Sequence, residues 1–105
     1  MLKIGRAVYL IDAGLGSLNA FTNAGLHVSD LQSIFITHLH ADHFIDYYNF
    51  FVSGGFSTRR DRDPISVYGP GPAGGLPHSR LGDPDPPTVA RAEPAPGIAA
   101  TTDLL

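Results

Sequence analysis

The sequence predicts a small α/β protein in which layered strands and helices occupy residues 1–69 and a Pro/Gly-rich stretch fills 70–105. Three observations carry that reading. Short apolar runs rich in β-branched residues alternate with helix-period segments through residues 1–69. Eight of the nine prolines lie from Pro70 onward, among Gly71, Gly74, Gly75, Gly82 and Gly97. A chain of 105 residues has room for one small domain at most.

The elements follow in order. "LKI" and "AVYLIDA" flank Gly5-Arg6 and read as a tight β-hairpin. "SLNAFTNAGL" reads as a short helix, with Ser17 as its N-cap and Gly25 as its stop. "SDLQ" is one helical turn, and "SIFIT" (33–37) is a short buried strand. Phe44, Tyr47, Tyr48 and Phe51 fall at i, i+3, i+4 and i+7, which predicts one face of a helix over 42–52. Gly54-Gly55 ends it; "FSTRRDRD" is a polar loop, and "ISVYG" is a further strand closed by Gly69-Pro70. Beyond that point the large aliphatics are Leu76, Leu81, Val89, Ile98, Leu104 and Leu105. So few cannot offset the ordering entropy of the segment. It reads as a disordered tail or a long surface loop, ending in the start of a helix at "PAPGIAATTDLL".

Composition narrows the chemistry. A net charge of -3 with seven Lys and Arg provides no basic field for a phosphate backbone. The absence of cysteine excludes disulfides and thiolate metal sites, so any metal must be held by His and carboxylate. No stretch approaches a membrane span and "MLKIGRAVYLIDAG" lacks the apolar core of a signal peptide, so a cytoplasmic location is expected.

Against this background "THLHADH" (37–43) stands out, with three of the five histidines and an aspartate inside six positions. A single His is usually a surface or core residue; this spacing at a strand-to-helix junction is a different object. If the chain leaves the strand extended, His38 and His40 project to one side. A helix starting near Asp42 then lifts Asp42 and His43 beside them, and Asp42 gains from the positive end of the helix dipole. The result is two donor pairs side by side, suited to adjacent divalent ions. Imidazole with carboxylate favours zinc, with manganese or iron as alternatives.

"THLHADH" matches the H-x-H-x-D-H motif of the metallo-β-lactamase-fold hydrolases. "VYLIDAGLGS" resembles the strand and acidic turn that precede it there, and "LHVSDLQSIFITHLHADH" resembles the ribonuclease Z and arylsulfatase branch. "ISVYGPGPAGGL" is similar to the strand and turn that come next. The likeness spans roughly 4–76. It implies the N-terminal half of an αββα sandwich holding two zinc ions, and hydrolysis of an ester or phosphodiester by a metal-bound hydroxide. It assigns His38 and His40 to the first zinc and Asp42 and His43 to the second, with Asp42 doubling as proton acceptor. Asp12 in "IDAG" matches the acidic motif that orients the ligand loop without binding metal; read alone it is a turn-forming Asp before Gly14.

The family closes its site with a later His, a bridging Asp and a last His. After His43 the chain has only His78, in a Pro/Gly-rich context where no ligand is expected. The acids Asp83, Asp85, Glu93 and Asp103 match no part of the pattern. Asp46 reads as a solvent-facing helix residue or an extra pocket acid, and Arg59 and Arg60 as a solvated loop or a phosphate contact. The chain therefore reads as an N-terminal fragment of a zinc-dependent hydrolase, weakly active or inactive alone. The alternative is a non-catalytic metal-binding remnant or module that needs a partner. The expected substrate is a small-molecule ester or phosphodiester; RNA fits the family but finds no support in the charge. A homo-oligomer would cover exposed apolar sheet surface.

Overall fold

The computed structural model describes residues 1–55, 64–73 and 97–102, and the protein is a mixed α/β chain built on a four-stranded sheet. It divides into two compact units, Met1–Gly69 and Pro70–Leu105.

In the first unit, β1 (Leu2–Ile4) and β2 (Ala7–Ile11) form an antiparallel hairpin across Gly5-Arg6. Gly5 has φ +60, the positive value a type II′ turn needs at its first position. β2 then pairs in parallel with β3 (Leu31–Phe35), and β3 in parallel with β4 (Ser66–Tyr68), giving the sheet order β1-β2-β3-β4. β3 begins two residues earlier than the β-branched run suggested, because Leu31 pairs with Val8.

Helix α1 (Ser17–Asn23) connects β2 to β3 through a 3-10 turn at Val28–Asp30. The expectation for its start is corrected. Gly16, at φ +81, occupies the cap position, Ser17 is the first helical residue, and no side-chain cap bond forms. The carboxylate of Asp46 serves the helix start instead, accepting from the Leu18 amide at 3.3 Å. At the other end the Gly25 amide donates to the Thr22 carbonyl and the Leu26 amide to that of Phe21. These are the paired bonds of a Schellman stop, with Gly25 at φ +72.

The single helix expected over 42–52 is two: α2 (Ala41–Phe44) and α3 (Tyr47–Gly55). The break has a physical cause. The Asp46 amide donates to the Ala13 carbonyl at 2.8 Å, not to a carbonyl one turn back, so the ladder is interrupted at Ile45-Asp46. The re-aimed α3 buries Tyr47 and Phe50, while Phe44, Tyr48 and Phe51 are half-buried in an aromatic cluster around Tyr47.

The core gathers Val8, Leu10, Leu31 and Ile34 from one face of the sheet with Phe21, Tyr47 and Phe50 from the helices. Phe21 and Phe50 meet edge to face at 5.4 Å, a favoured aromatic geometry. The opposite face exposes Leu2, Ile4, Ile11, Phe35 and Tyr68, the last two stacked at 5.1 Å.

In the second unit, α4 (Gly97–Thr102) starts at Gly97, with φ +76, and the Ile98 amide donates to the Pro70 carbonyl at 2.9 Å. A Cβ at position 97 would run into the Gly71 and Pro70 backbone. The expectations for His78, Arg59, Arg60, Asp83, Asp85, Glu93 and Asp103 fall outside the described residues. Among the described residues no helix is long and apolar enough to cross a membrane.

Candidate functional site

The site lies where β2 and β3 end side by side. Their parallel pairing sets Ile11 opposite Phe35, so the residues that follow, Asp12 and Ile36-Thr37, leave the sheet together. Asp12 adopts φ +58, a left-handed conformation Asp tolerates better than most side chains. Its amide still donates to the Phe35 carbonyl at 2.8 Å, which ties the two strand ends before the chains diverge.

From that position the Asp12 carboxylate organises the motif. Oδ1 accepts from the Thr37 amide at 2.7 Å, and the Thr37 hydroxyl lies 3.0 and 2.8 Å from the two carboxylate oxygens. The ring Nδ1 of His43 lies 2.9 Å from Oδ2. Burial alone would raise the Asp12 pKa. The Thr37 amide, the His43 ring, the Thr37 hydroxyl and the positive charge of His43 together outweigh it and hold the carboxyl below its ordinary value. His43 moves the other way. The hydrogen bond to Asp12 raises its pKa, partial desolvation opposes this, and the charges of Asp42 and Asp12 add to the rise.

The backbone clamps the same segments together. The Ala13 amide donates to the His43 carbonyl at 2.7 Å, and the Ala13 carbonyl accepts from Asp46. Gly14 lies so close to the Asp42 carbonyl that a Cβ there would overlap it. Asp46, read in sequence as a solvent-facing or pocket residue, is instead buried, bonded to the Leu18 amide and to the Asn49 side chain at 3.1 Å. It is a structural group, and the sequence, which sets Asp42 apart through its motif, carries no signal that Asp46 is buried.

The three histidine rings gather tightly, His38 and His40 with centroids 4.6 Å apart and His38 and His43 at 4.0 Å. Asp42, with a side chain 79% exposed, sets Oδ2 3.6 Å from His43 Nε2. Among the described residues no three donors are arranged as they stand to hold one ion. The donor chemistry nevertheless fits a zinc-type ion. Two ligands about 2.0–2.1 Å from a tetrahedral centre lie roughly 3.3 Å apart, close to the Asp42–His43 spacing. His43 gives its other ring nitrogen to a carboxylate, the arrangement that orients metal-binding imidazoles. A separate groove of about 310 Å³ beside α1, lined by Leu18, Thr22, Leu26, His27, Val28 and Ser53, shares none of these residues.

The family model described as Anti-Pycsar protein Apyc1 matches residues 1–67. The chain belongs to the Anti-Pycsar protein Apyc1 family. Relatives of this Apyc1-family chain include ribonuclease Z proteins of the metallo-β-lactamase superfamily. The ribonuclease Z of Methanothermobacter thermautotrophicus is 36% identical over 69 residues, covering 66% of this chain and 22% of the relative. That of Mycobacterium sp. (strain KMS) is 29% identical over 70 residues, 67% of this chain and 25% of the relative. That of Streptococcus suis is 35% identical over 63 residues, 60% of this chain and 20% of the relative. The chain thus spans between a fifth and a quarter of the length of these relatives. No solved structure matches it. The likeness to ribonuclease Z expected from "LHVSDLQSIFITHLHADH" is found, and it covers the N-terminal part of the chain.

Proposed function

We propose that the chain carries the metal-holding part of a zinc-dependent hydrolase acting on an ester or phosphodiester. The observation that supports this best is the cluster of His38, His40 and His43 with an aspartate fixed behind it. His38 and His40 would hold one ion, Asp42 and His43 a second. A bound zinc ion would supply Lewis-acid activation of water and of the scissile group.

The chain's own residues have defined tasks around that chemistry. Asp12 orients His43 through Nδ1 and leaves Nε2 free to donate its lone pair. The clamp between Ala13 and His43 fixes where the ligand segment sits against the sheet. Asp42, exposed and with Oδ2 3.6 Å from His43 Nε2, would take the proton from water. Phosphodiester substrates are favoured by the ribonuclease Z relatives, and small esters remain within the same chemistry. Donors beyond these four are needed for full coordination of two ions, since each takes four or more ligands. That need, with the exposed apolar sheet face, supports a second reading: a metal-binding module completed by a partner.

The experiment is a zinc titration of the purified chain with a panel of phosphodiester and lactone substrates, and His40→Ala as control. Zinc binding lost in His40→Ala supports the proposal. Turnover that His40→Ala leaves unchanged would falsify it for this site, and zinc binding without turnover would favour the module.

A further inference from the structure

Resting on the metal-holding reading above, we infer that Thr37 is a positioning residue that fixes the ring tautomer of His38 by relaying the Asp12 carboxylate to it. The relay is built from three short contacts. The Thr37 hydroxyl lies 2.8 Å from Asp12 Oδ2, 3.0 Å from Oδ1 and 3.0 Å from His38 Nδ1. A hydroxyl has one proton to give and lone pairs to receive, and an ionised carboxylate can only accept. The hydroxyl proton is therefore committed to Asp12. What remains facing His38 is an oxygen lone pair, which demands a proton on Nδ1. The ring must then carry its own lone pair on Nε2.

The opposite tautomer sets an Nδ1 lone pair against the lone pair of the Thr37 oxygen, 3.0 Å away, with no proton between them. A free histidine side chain prefers the proton on Nε2, so the relay reverses the intrinsic preference. His43 reaches the same state by direct contact, its Nδ1 being 2.9 Å from Asp12 Oδ2. One carboxylate thus sets two rings, one directly and one through a hydroxyl, and both present Nε2. Thr37 suits the task because its branched Cβ restricts χ1 and its own amide is already bonded to Asp12 at 2.7 Å. The hydroxyl has little freedom to swing away.

The test uses the metal-free full chain labelled with ¹⁵N, at a pH where His38 is neutral. Long-range proton–nitrogen correlation spectra read each ring's tautomer, with His38→Ala for assignment. The wild type should show a pyrrole-type Nδ1 and a pyridine-type Nε2 at His38. Thr37→Val removes the hydroxyl at nearly constant shape and should shift His38 toward the opposite tautomer, while Thr37→Ser should retain the wild-type pattern. Zinc affinity should fall about 10- to 100-fold in Thr37→Val and recover in Thr37→Ser. A wild-type His38 protonated on Nε2 overturns the relay without any variant, which keeps the inference testable should Thr37→Val fail to fold. An unshifted His38 in folded Thr37→Val overturns it too. Because the spectra need no metal, a chain with the expected tautomers but no zinc binding would leave the relay standing and refute the zinc reading. Zinc binding with a tautomer indifferent to Thr37 would do the reverse.

Discussion

The two faces of the four-stranded sheet share the same strands yet obey different rules. On one face Val8, Leu10 and Ile34 are covered by Phe21, Tyr47 and Phe50 and are almost wholly shielded from solvent. On the other, Ile11, Phe35 and Tyr68 lie in one register row across β2, β3 and β4, each 40–55% exposed. Hydrophobicity alone does not separate them. What separates them is which face received α1 and α3. The covered face holds the fold together; the open face is apolar surface of the kind that proteins use for contact.

Substitutions sharpen that contrast, beginning with the covered face. Phe21→Ala removes a fully buried ring and its contact with Phe50, and should cost about 3–5 kcal/mol. Against a total stability of about 5–15 kcal/mol that is a fifth of it or more. Urea denaturation would show the midpoint collapse, and a loss under about 1 kcal/mol would mean the core is not where the burial places it.

Next in size is Gly14→Ala, at the junction of the covered layer and the histidines. Its Cβ overlaps the Asp42 carbonyl, so the ligand segment must shift. A cost of about 1–3 kcal/mol is expected, together with weaker zinc binding, measured by thermal unfolding and zinc titration.

Asp12→Asn acts on the pH dependence of the metal-free chain. The folded pKa of Asp12 lies below its ordinary 3.8, so its contribution to stability is present above that value and is lost as pH falls through the folded pKa. The folded pKa of His43 lies above its ordinary 6.5, so its contribution is present below 6.5 and is lost as pH rises through the raised value. The pair therefore stabilises most between those limits. Asp12→Asn should flatten both flanks in a stability-against-pH series and weaken zinc binding about 10- to 100-fold. An unchanged profile would mean the pair does not form in solution.

The smallest expected effect belongs to the open face. Phe35→Ser combined with Tyr68→Ser removes a stacked pair worth about 0.5–1.5 kcal/mol, and urea denaturation should show a loss of that size. A loss comparable to Phe21→Ala would erase the distinction between the faces.

Much of this arrangement was legible in the sequence where a local rule decides the outcome. Gly5 announced the hairpin, Gly25 the helix stop, and the alternation in "THLHADH" the adjacency of His38 and His40. What escaped were features set by segments far apart in the chain. Ser17 looked like a cap because serine caps helices, but a carboxylate 28 positions from Leu18 serves that helix start. The period of Phe44, Tyr47, Tyr48 and Phe51 concealed a break, because the bond that interrupts the ladder comes from Ala13. The motif marked Asp42, but nothing local marked Asp46 as buried, since its partner is the Leu18 amide at the start of α1. The path from Asp12 through Thr37 to His38 depends on the parallel register of β2 and β3, which no short motif encodes.

The Ala13 clamp has a kinetic consequence. Both main-chain groups of this buried residue are engaged with the histidine segment, the amide with His43 and the carbonyl with Asp46. The Ala13 and Asp46 amide protons should therefore exchange with deuterium only when the sheet itself opens, on the slowest scale the chain offers. A segment held in that way is no flap. Rearrangement there is left to the side chains of His38, His40, Asp42 and His43, while the main chain that carries them stays fixed to the sheet.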